Sequence, residues 1–209
     1  IEGLWEDESV AVMRSLLEIL CSDPSPLVRA QAAAGLGKFV LKAELEEMDA
    51  ALGAQVQQAL LEVIYEPQES LEVRRRAVEA IGFSGEEVGR EIIESAYRDG
   101  ERKMRVSTLF AMGRSVDPYW GESLLRELKN PDPEMRYEAA RACGELELVK
   151  AVPTLAELVN DPDREIQGAA IWALGQIGGG KVRRILMACC ESEDEALAEI
   201  AEEALAELE

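Results

Sequence analysis

Few side chains in this 209-residue chain are suited to covalent or metal chemistry. It contains no His, so no imidazole is available as a general base or a metal ligand. Of its four Cys, Cys189 and Cys190 are adjacent, a pairing open to thiol redox or soft-metal chemistry. With no further Cys beside them, they read instead as small core hydrophobes: Cys21 and Cys190 share one apolar column of the pattern described below, and Cys143 falls in another. Four Cys in a chain of this length also point to a reducing compartment. The 42 Asp and Glu residues offer carboxylates for a cation, but their spread along the chain is that of solvated helix faces. No phosphate-cradling Gly loop, Gly-x-Ser-x-Gly elbow or clustered Cys pair occurs. No catalytic residue, cofactor or metal is therefore expected.

The chemistry that remains is non-covalent recognition. Arg75, Arg76, Phe110, Arg114, Tyr137, Arg141 and Trp172 combine large contact area with directed polar groups, the residue types enriched at binding hot spots. Their spacing makes them a set. Val28, Val73, Met104, Met135, Ile166 and Leu197 begin equivalent segments, the last five of which are 31 residues apart. Four residues later come Ala32, Ala77, Thr108, Ala139, Ala170 and Ala201, and at plus seven Gly35, Ala80, Ala111, Ala142, Ala173 and Ala204. Position plus eight carries Leu36, Ile81, Met112, Cys143, Leu174 and Leu205. Zero, four, seven and eight form one apolar face at helical spacing. A further column at plus nine, Gly82, Gly113, Gly144, Gly175 and Ala206, suits either close packing or helix termination.

Each such helix is preceded by a turn, as in Asp23-Pro24-Ser25-Pro26, Asn130-Pro131-Asp132-Pro133 and Asp161-Pro162-Asp163. Pro stops one helix, and Asp or Ser caps the next. Apolar pairs spaced by four, such as Leu124/Leu128 and Leu155/Val159, mark a shorter helix upstream of each turn. The unit is thus helix, tight turn, helix, and such units bury their apolar faces only by stacking. Two departures break the rhythm. Leu41 to Met48 lengthen the first connection, and Glu66-Pro67-Gln68-Glu69-Ser70 enlarge the second unit's internal turn. Both read as contact loops or tolerated insertions.

The units resemble HEAT repeats, specifically the short HEAT-like type named after phycobilisome lyases. The resemblance rests on residues 23 to 37, Asp-Pro-Ser-Pro-Leu-Val-Arg-Ala-Gln-Ala-Ala-Ala-Gly-Leu-Gly, and on 161 to 175, Asp-Pro-Asp-Arg-Glu-Ile-Gln-Gly-Ala-Ala-Ile-Trp-Ala-Leu-Gly. It implies an all-α, right-handed α-solenoid of about six helix pairs whose second helices line the concave face. It also implies that the Arg column at plus one (Arg29, Arg74, Arg105, Arg136, broken by Gln167 and Ala198) ties to acidic turn residues of neighbouring units. On second helices, positions plus two, three, six and ten turn from the apolar seam. Across units two to four they hold four Arg and three Glu. The seven residues named above therefore either line a concave groove that binds a protein segment or cover the seams between repeats.

The expected array spans residues 1–209 with units near 8–40, 50–84, 86–115, 119–146, 150–178 and 181–209, the last reading as a polar cap. Residues 1–7 resemble the end of a preceding repeat, so a longer array is expected. Net charge is −20, which repels phosphate backbones and anionic membranes, so neither nucleic acid nor membrane is an expected partner. No stretch is long and apolar enough to span a bilayer, and no signal-peptide pattern is seen, so a soluble, cytoplasmic protein is expected, plausibly a monomer. The leading function is a non-catalytic adaptor. The lyase resemblance offers a second, a subunit assisting bilin attachment. Deoxyhypusine hydroxylases share such repeats but use His-Glu metal pairs that this chain lacks. A glycosylase-like HEAT protein would need a basic groove.

Overall fold

The computed structural model describes residues 7–85 and 87–208; all but the last residue of the segment 1–7, read above as the end of a preceding repeat, lies outside them. Among the described residues every regular element is helical, with twelve α-helices and two short 3₁₀ turns. Two compact units divide the chain at Ala111 and Met112. The first contains α1 (Val10–Ser22), α2 (Pro26–Glu44), α3 (Ala50–Tyr65), α4 (Leu71–Ile81), α5 (Glu87–Asp99) and most of α6 (Arg102–Arg114). The second begins with the last residues of α6 and holds α7 (Gly121–Glu127), α8 (Pro133–Glu145), α9 (Val152–Leu158), α10 (Arg164–Ile177), α11 (Gly180–Cys189) and α12 (Glu195–Ala206). The 3₁₀ turns Pro118–Trp120 and Val149–Ala151 lead into α7 and α9.

The helices start where short polar side chains satisfy the first free N–H groups. Ser9, Asp49, Ser70, Asp132, Asp163 and Asp194 each accept from a backbone N–H of the following turn. Within the helix pairs, one device recurs. The side-chain oxygens of Asp23, Asn130 and Asp161 accept from the N–H two residues on, at 2.8, 2.9 and 3.0 Å, closing an Asx turn around Pro. The plus-one side chain then holds that turn from behind: Arg29 donates to the Asp23 carbonyl (2.6 Å), Arg136 to that of Asn130 (3.0 Å) and Gln167 to that of Asp161 (2.6 Å).

Two Arg of this column also reach the next repeat, as the resemblance implied. Arg29 makes a two-pronged pair with Glu69 at 2.9 and 2.8 Å, and Arg136 makes one with Asp161 at 2.9 and 3.1 Å. Parallel N–H···O bonds of this kind fix geometry as well as adding energy. Glu69 belongs to the enlarged 66–70 turn, which therefore has a structural task. Arg74 instead donates to the Ile64 carbonyl (3.1 Å), and Arg105 lies over the Tyr97 ring at 5.4 Å.

Second helices form the packed layer. In the first unit α2 lies on α4, and in the second α8 lies on α10 and α10 on α12. The apolar face is the one read from the sequence: Val73, Ala77, Ala80 and Ile81 are buried, as are Met135, Ala139, Ala142 and Cys143, and Ile166, Ala170, Ala173 and Leu174. Val28, Leu197 and Leu205 are only half-buried.

The glycine column proves to be a packing device. A Cβ on Gly82 would stand 2.7 Å from the Cα of Ala111, one on Gly113 3.0 Å from that of Ala142, and one on Gly144 2.8 Å from that of Ala173. On Gly175 it would meet the Ala204 Cβ at 2.8 Å. Plus-nine Gly of one helix thus faces plus-seven Ala of the next, and backbones approach where neither carries bulk. Gly82 also caps the end of α4, whereas beyond α6, α8 and α10 the chain turns at plus twelve, where Val116, Glu147 and Gly178 take φ of 49°, 46° and 67°. Glu46, at 57°, does the same after α2, whose nineteen residues absorb most of the expected insertion as helix. Leu45 to Asp49 alone remain as connection, and Leu41 and Leu45 are exposed.

Candidate interaction surface on the second helices

The stripe at plus two, three, six and ten does not stand clear of its neighbours. All seven residues picked out from it are half-buried. Position plus three is more covered still, with Ser107 and Ala169 exposed by only 1% and 5%. The expectation that plus three faces solvent is therefore corrected for these two residues; Ser107 is covered from the side of the preceding helix α4, where its hydroxyl meets Arg75 and Glu79.

In the first unit, Arg75 and Arg76 sit on α4 within one polar network. Arg75 donates to Glu72 (2.8 Å), to the Ser107 hydroxyl (2.9 Å) and to the Lys103 carbonyl (3.0 Å). Ser107 donates to Glu79 at 2.6 Å, and Glu79 accepts from Arg76 at 2.8 Å. Arg76 also reaches Glu72 at 3.2 Å. This network ties α4 to α6, and Arg75, with a side chain only 14% exposed, is largely committed to it. Arg76 keeps 36% of its side chain accessible. Phe110 is half-buried on α6.

In the second unit the chemistry gathers around Gly144. The Arg141 guanidinium stacks on the Trp172 ring at 4.0 Å from its centre, joining α8 to α10. The same ring lies over Gly144, where a Cβ would meet its Cζ3 at 2.7 Å. Trp172 therefore covers a repeat seam with one part of its surface and keeps the rest accessible. Phe83 does the equivalent over Gly37, where a Cβ would stand 3.1 Å from its ring. Arg114 pairs with Glu145 at 3.3 Å. Burial raises the carboxyl pKa of Glu145 above its ordinary value, against the pull of the Arg114 and Arg141 charges. Tyr137 is half-buried on α8, one turn before Arg141. Gln176 continues the plus-ten column by donating to Glu207 at 2.8 Å.

The structure thus joins Arg75 to Arg76 through Glu72, and Arg141 to Trp172 directly; the two groups belong to different units. Glu79, Ser107 and Glu145, which complete these networks, carry no motif of their own, and only their columns beside the Arg residues could have found them.

The cysteines divide. Cys143 is buried, which pushes its thiol pKa up to about 12. Cys189 and Cys190 are half-buried; burial raises both thiols, helped at Cys189 by its neighbour and at Cys190 by Glu202. Cys21, expected in the core, is exposed. The buried stripe of α1 runs through Met13, Leu16 and Leu20, with Leu17 at its margin, so the next residue on that margin opens to solvent. No helix among the described residues is long and apolar enough to cross a membrane.

Comparisons with known proteins agree with this geometry. The chain is similar over 94% of its length to the complex of CpcE and CpcF of phycocyanin lyase from Nostoc sp. PCC7120, with a TM-score of 0.62, 18% identity and 76% of that chain covered. A designed armadillo repeat protein in complex with the peptide (KR)4 matches over 94% of this chain and 99% of its own, with a TM-score of 0.59 and 16% identity. Over 61 residues the sequence is 36% identical to the "uncharacterized phycocyanin operon protein Y" of Pseudanabaena tenuis (strain PCC 7409). That match spans 27% of this chain and 14% of the relative. The family model for HEAT repeats matches residues 13–113 and 121–206, and the chain belongs to the HEAT-repeat family.

Proposed function

We propose that this chain is a non-catalytic scaffold, a single array of HEAT-like units that binds a protein segment on its second-helix faces. The observation that carries the reading is the half-buried Arg141–Trp172 stack beside Tyr137. Trp, Tyr and Arg together are the types that dominate binding energy, and here Trp172 is packed against Gly144 and Arg141 stacked on Trp172 before any partner arrives. Arg76 and Phe110 supply a similar pair of types in the first unit. Two proteins of like fold support it, since one is described in complex with a peptide and the other as a complex of two chains.

The test is affinity capture from the source cell by the intact chain, by Tyr137→Ala/Arg141→Ala and by Arg76→Ala/Phe110→Ala, with helicity checked by circular dichroism. Trp172 is left in place because it covers the α8–α10 seam. Loss of a captured protein by either variant, with helicity retained, supports the reading; unchanged capture by both contradicts it. A second reading, a subunit assisting bilin attachment, is favoured by the phycocyanin-operon match and the lyase likeness. A shifted bilin absorption band on mixing would support it.

A further inference from the structure

The second unit carries another recessed surface on the side of its first helices. Between α9 and α11 opens a cleft of about 650 Å³, a size that takes several side chains of a bound ligand. Its floor is apolar: Ile171 is buried, and Val159, Ile185 and Leu197 are half-buried. Lys181 and Arg184 stand exposed at its rim, three residues apart on α11, and neither makes an ion pair among the described residues. The stretch of sequence that carries them differs from the rest of the chain. No Asp or Glu occurs between Glu165 and Glu191, whereas Lys181, Arg183 and Arg184 all do, in a protein of net charge −20.

We propose that this cleft docks an acidic amphipathic helix of a protein partner. Apolar side chains at helical spacing enter between α9 and α11, and carboxylates on the flanks of the same helix meet Lys181 and Arg184. The apolar floor disfavours a purely ionic ligand, and the rim disfavours a basic one. The net charge of −20 repels such a partner in general, and the two rim cations offer it a local attraction that sets its position. This site uses Ile171 and Leu197 of the second helices but not the stripe that holds Tyr137, Arg141 and Trp172, and it does not depend on what that stripe binds.

The probe is a fluorescein-labelled peptide of about four helical turns, with Leu at i, i+3, i+4 and i+7 spacing and Glu elsewhere, followed by anisotropy with the intact chain. Saturable binding is expected. Lys181→Glu/Arg184→Glu should weaken it at least roughly tenfold, since both charges turn repulsive. These side chains are exposed, so the fold is retained, as circular dichroism will verify. A scrambled peptide of the same composition should also bind at least tenfold more weakly, and Tyr137→Ala/Arg141→Ala should bind as the unmodified chain does. Absence of saturable binding, equal binding by the charge-reversed variant, or equal binding of the scrambled peptide would each overturn the proposal. Loss of binding in Tyr137→Ala/Arg141→Ala alone would also overturn it, placing the peptide on the second-helix face.

Discussion

Asp161 serves two repeats at once, closing its own Asx turn onto the Asp163 N–H and receiving both prongs of Arg136 from the unit before. Burial works to raise its pKa, but the Arg136 hydrogen bonds, the Asp163 N–H and the Arg136 charge outweigh it, so the value in the folded protein lies below 3.8. A lowered carboxyl pKa contributes stability that is present above the unfolded value and is lost as pH falls through the folded one. Glu69, held below 4.5 chiefly by its hydrogen bonds from Arg29, acts with the same sign. Asp161→Asn keeps one acceptor and loses the charge, so it should cost about 2 kcal/mol at neutral pH. In urea titrations the gap from the unmodified chain should close as pH drops below 3.8; a pH-independent gap would contradict the assignment. Val116 poses a different question, because a β-branched residue at φ 49° is strained. It is 63% exposed, so Val116→Gly removes little packing and should stabilise the chain by about 1 kcal/mol, measured as a raised urea midpoint. This strain was not readable from the sequence, since the plus-twelve column runs Val40, Gly85, Val116, Glu147, Gly178 and Glu209, and two Gly among such mixed types make no signal.

Helix pairing rests on the meeting of two columns, plus-nine Gly on plus-seven Ala. Gly144→Ala places a methyl 2.8 Å from the Ala173 Cα and 2.7 Å from the Trp172 ring, and Gly82→Ala places one 2.7 Å from the Ala111 Cα. Backbone cannot yield as a side-chain tip does, so each should cost about 1–3 kcal/mol. Gly180, with nothing within 4 Å of its would-be Cβ, is the counter-test: Gly180→Ala should be neutral or stabilising by up to about 1 kcal/mol. Thermal denaturation of the three variants would decide, and equal effects would deny that close approach is the reason for the column. Both columns, the helix–turn–helix units and the apolar faces were legible because they repeat. What repeats less was not: whether Gly served packing or termination needed the distance to a neighbouring helix. Trp172 stood at an outward phase in the sequence, yet packing against Gly144 half-buries it, a consequence of the very closeness that Gly144 permits.

For the molecule as a whole, periodicity announced the HEAT family, while the proposed binding surfaces showed only as departures from it. The Arg and aromatic residues of the second helices were legible in this way, being side chains the stack does not require. Glu79 and Glu145 stood in the same columns, but their pairing with Arg76 and Arg114 was not legible, for in a chain with 42 acidic residues one more Glu is no signal. The acid-free run from Ile166 to Cys190 was readable, but its meaning came only with the cleft between α9 and α11. Function then rests on which face of the repeats meets a partner. Amide hydrogen exchange of the chain, free and with its captured protein, measures this most directly. Added protection is expected in the second helices, α8 and α10 foremost, around Tyr137, Arg141 and Trp172. Protection absent from every second helix on saturation with that protein would contradict the scaffold reading.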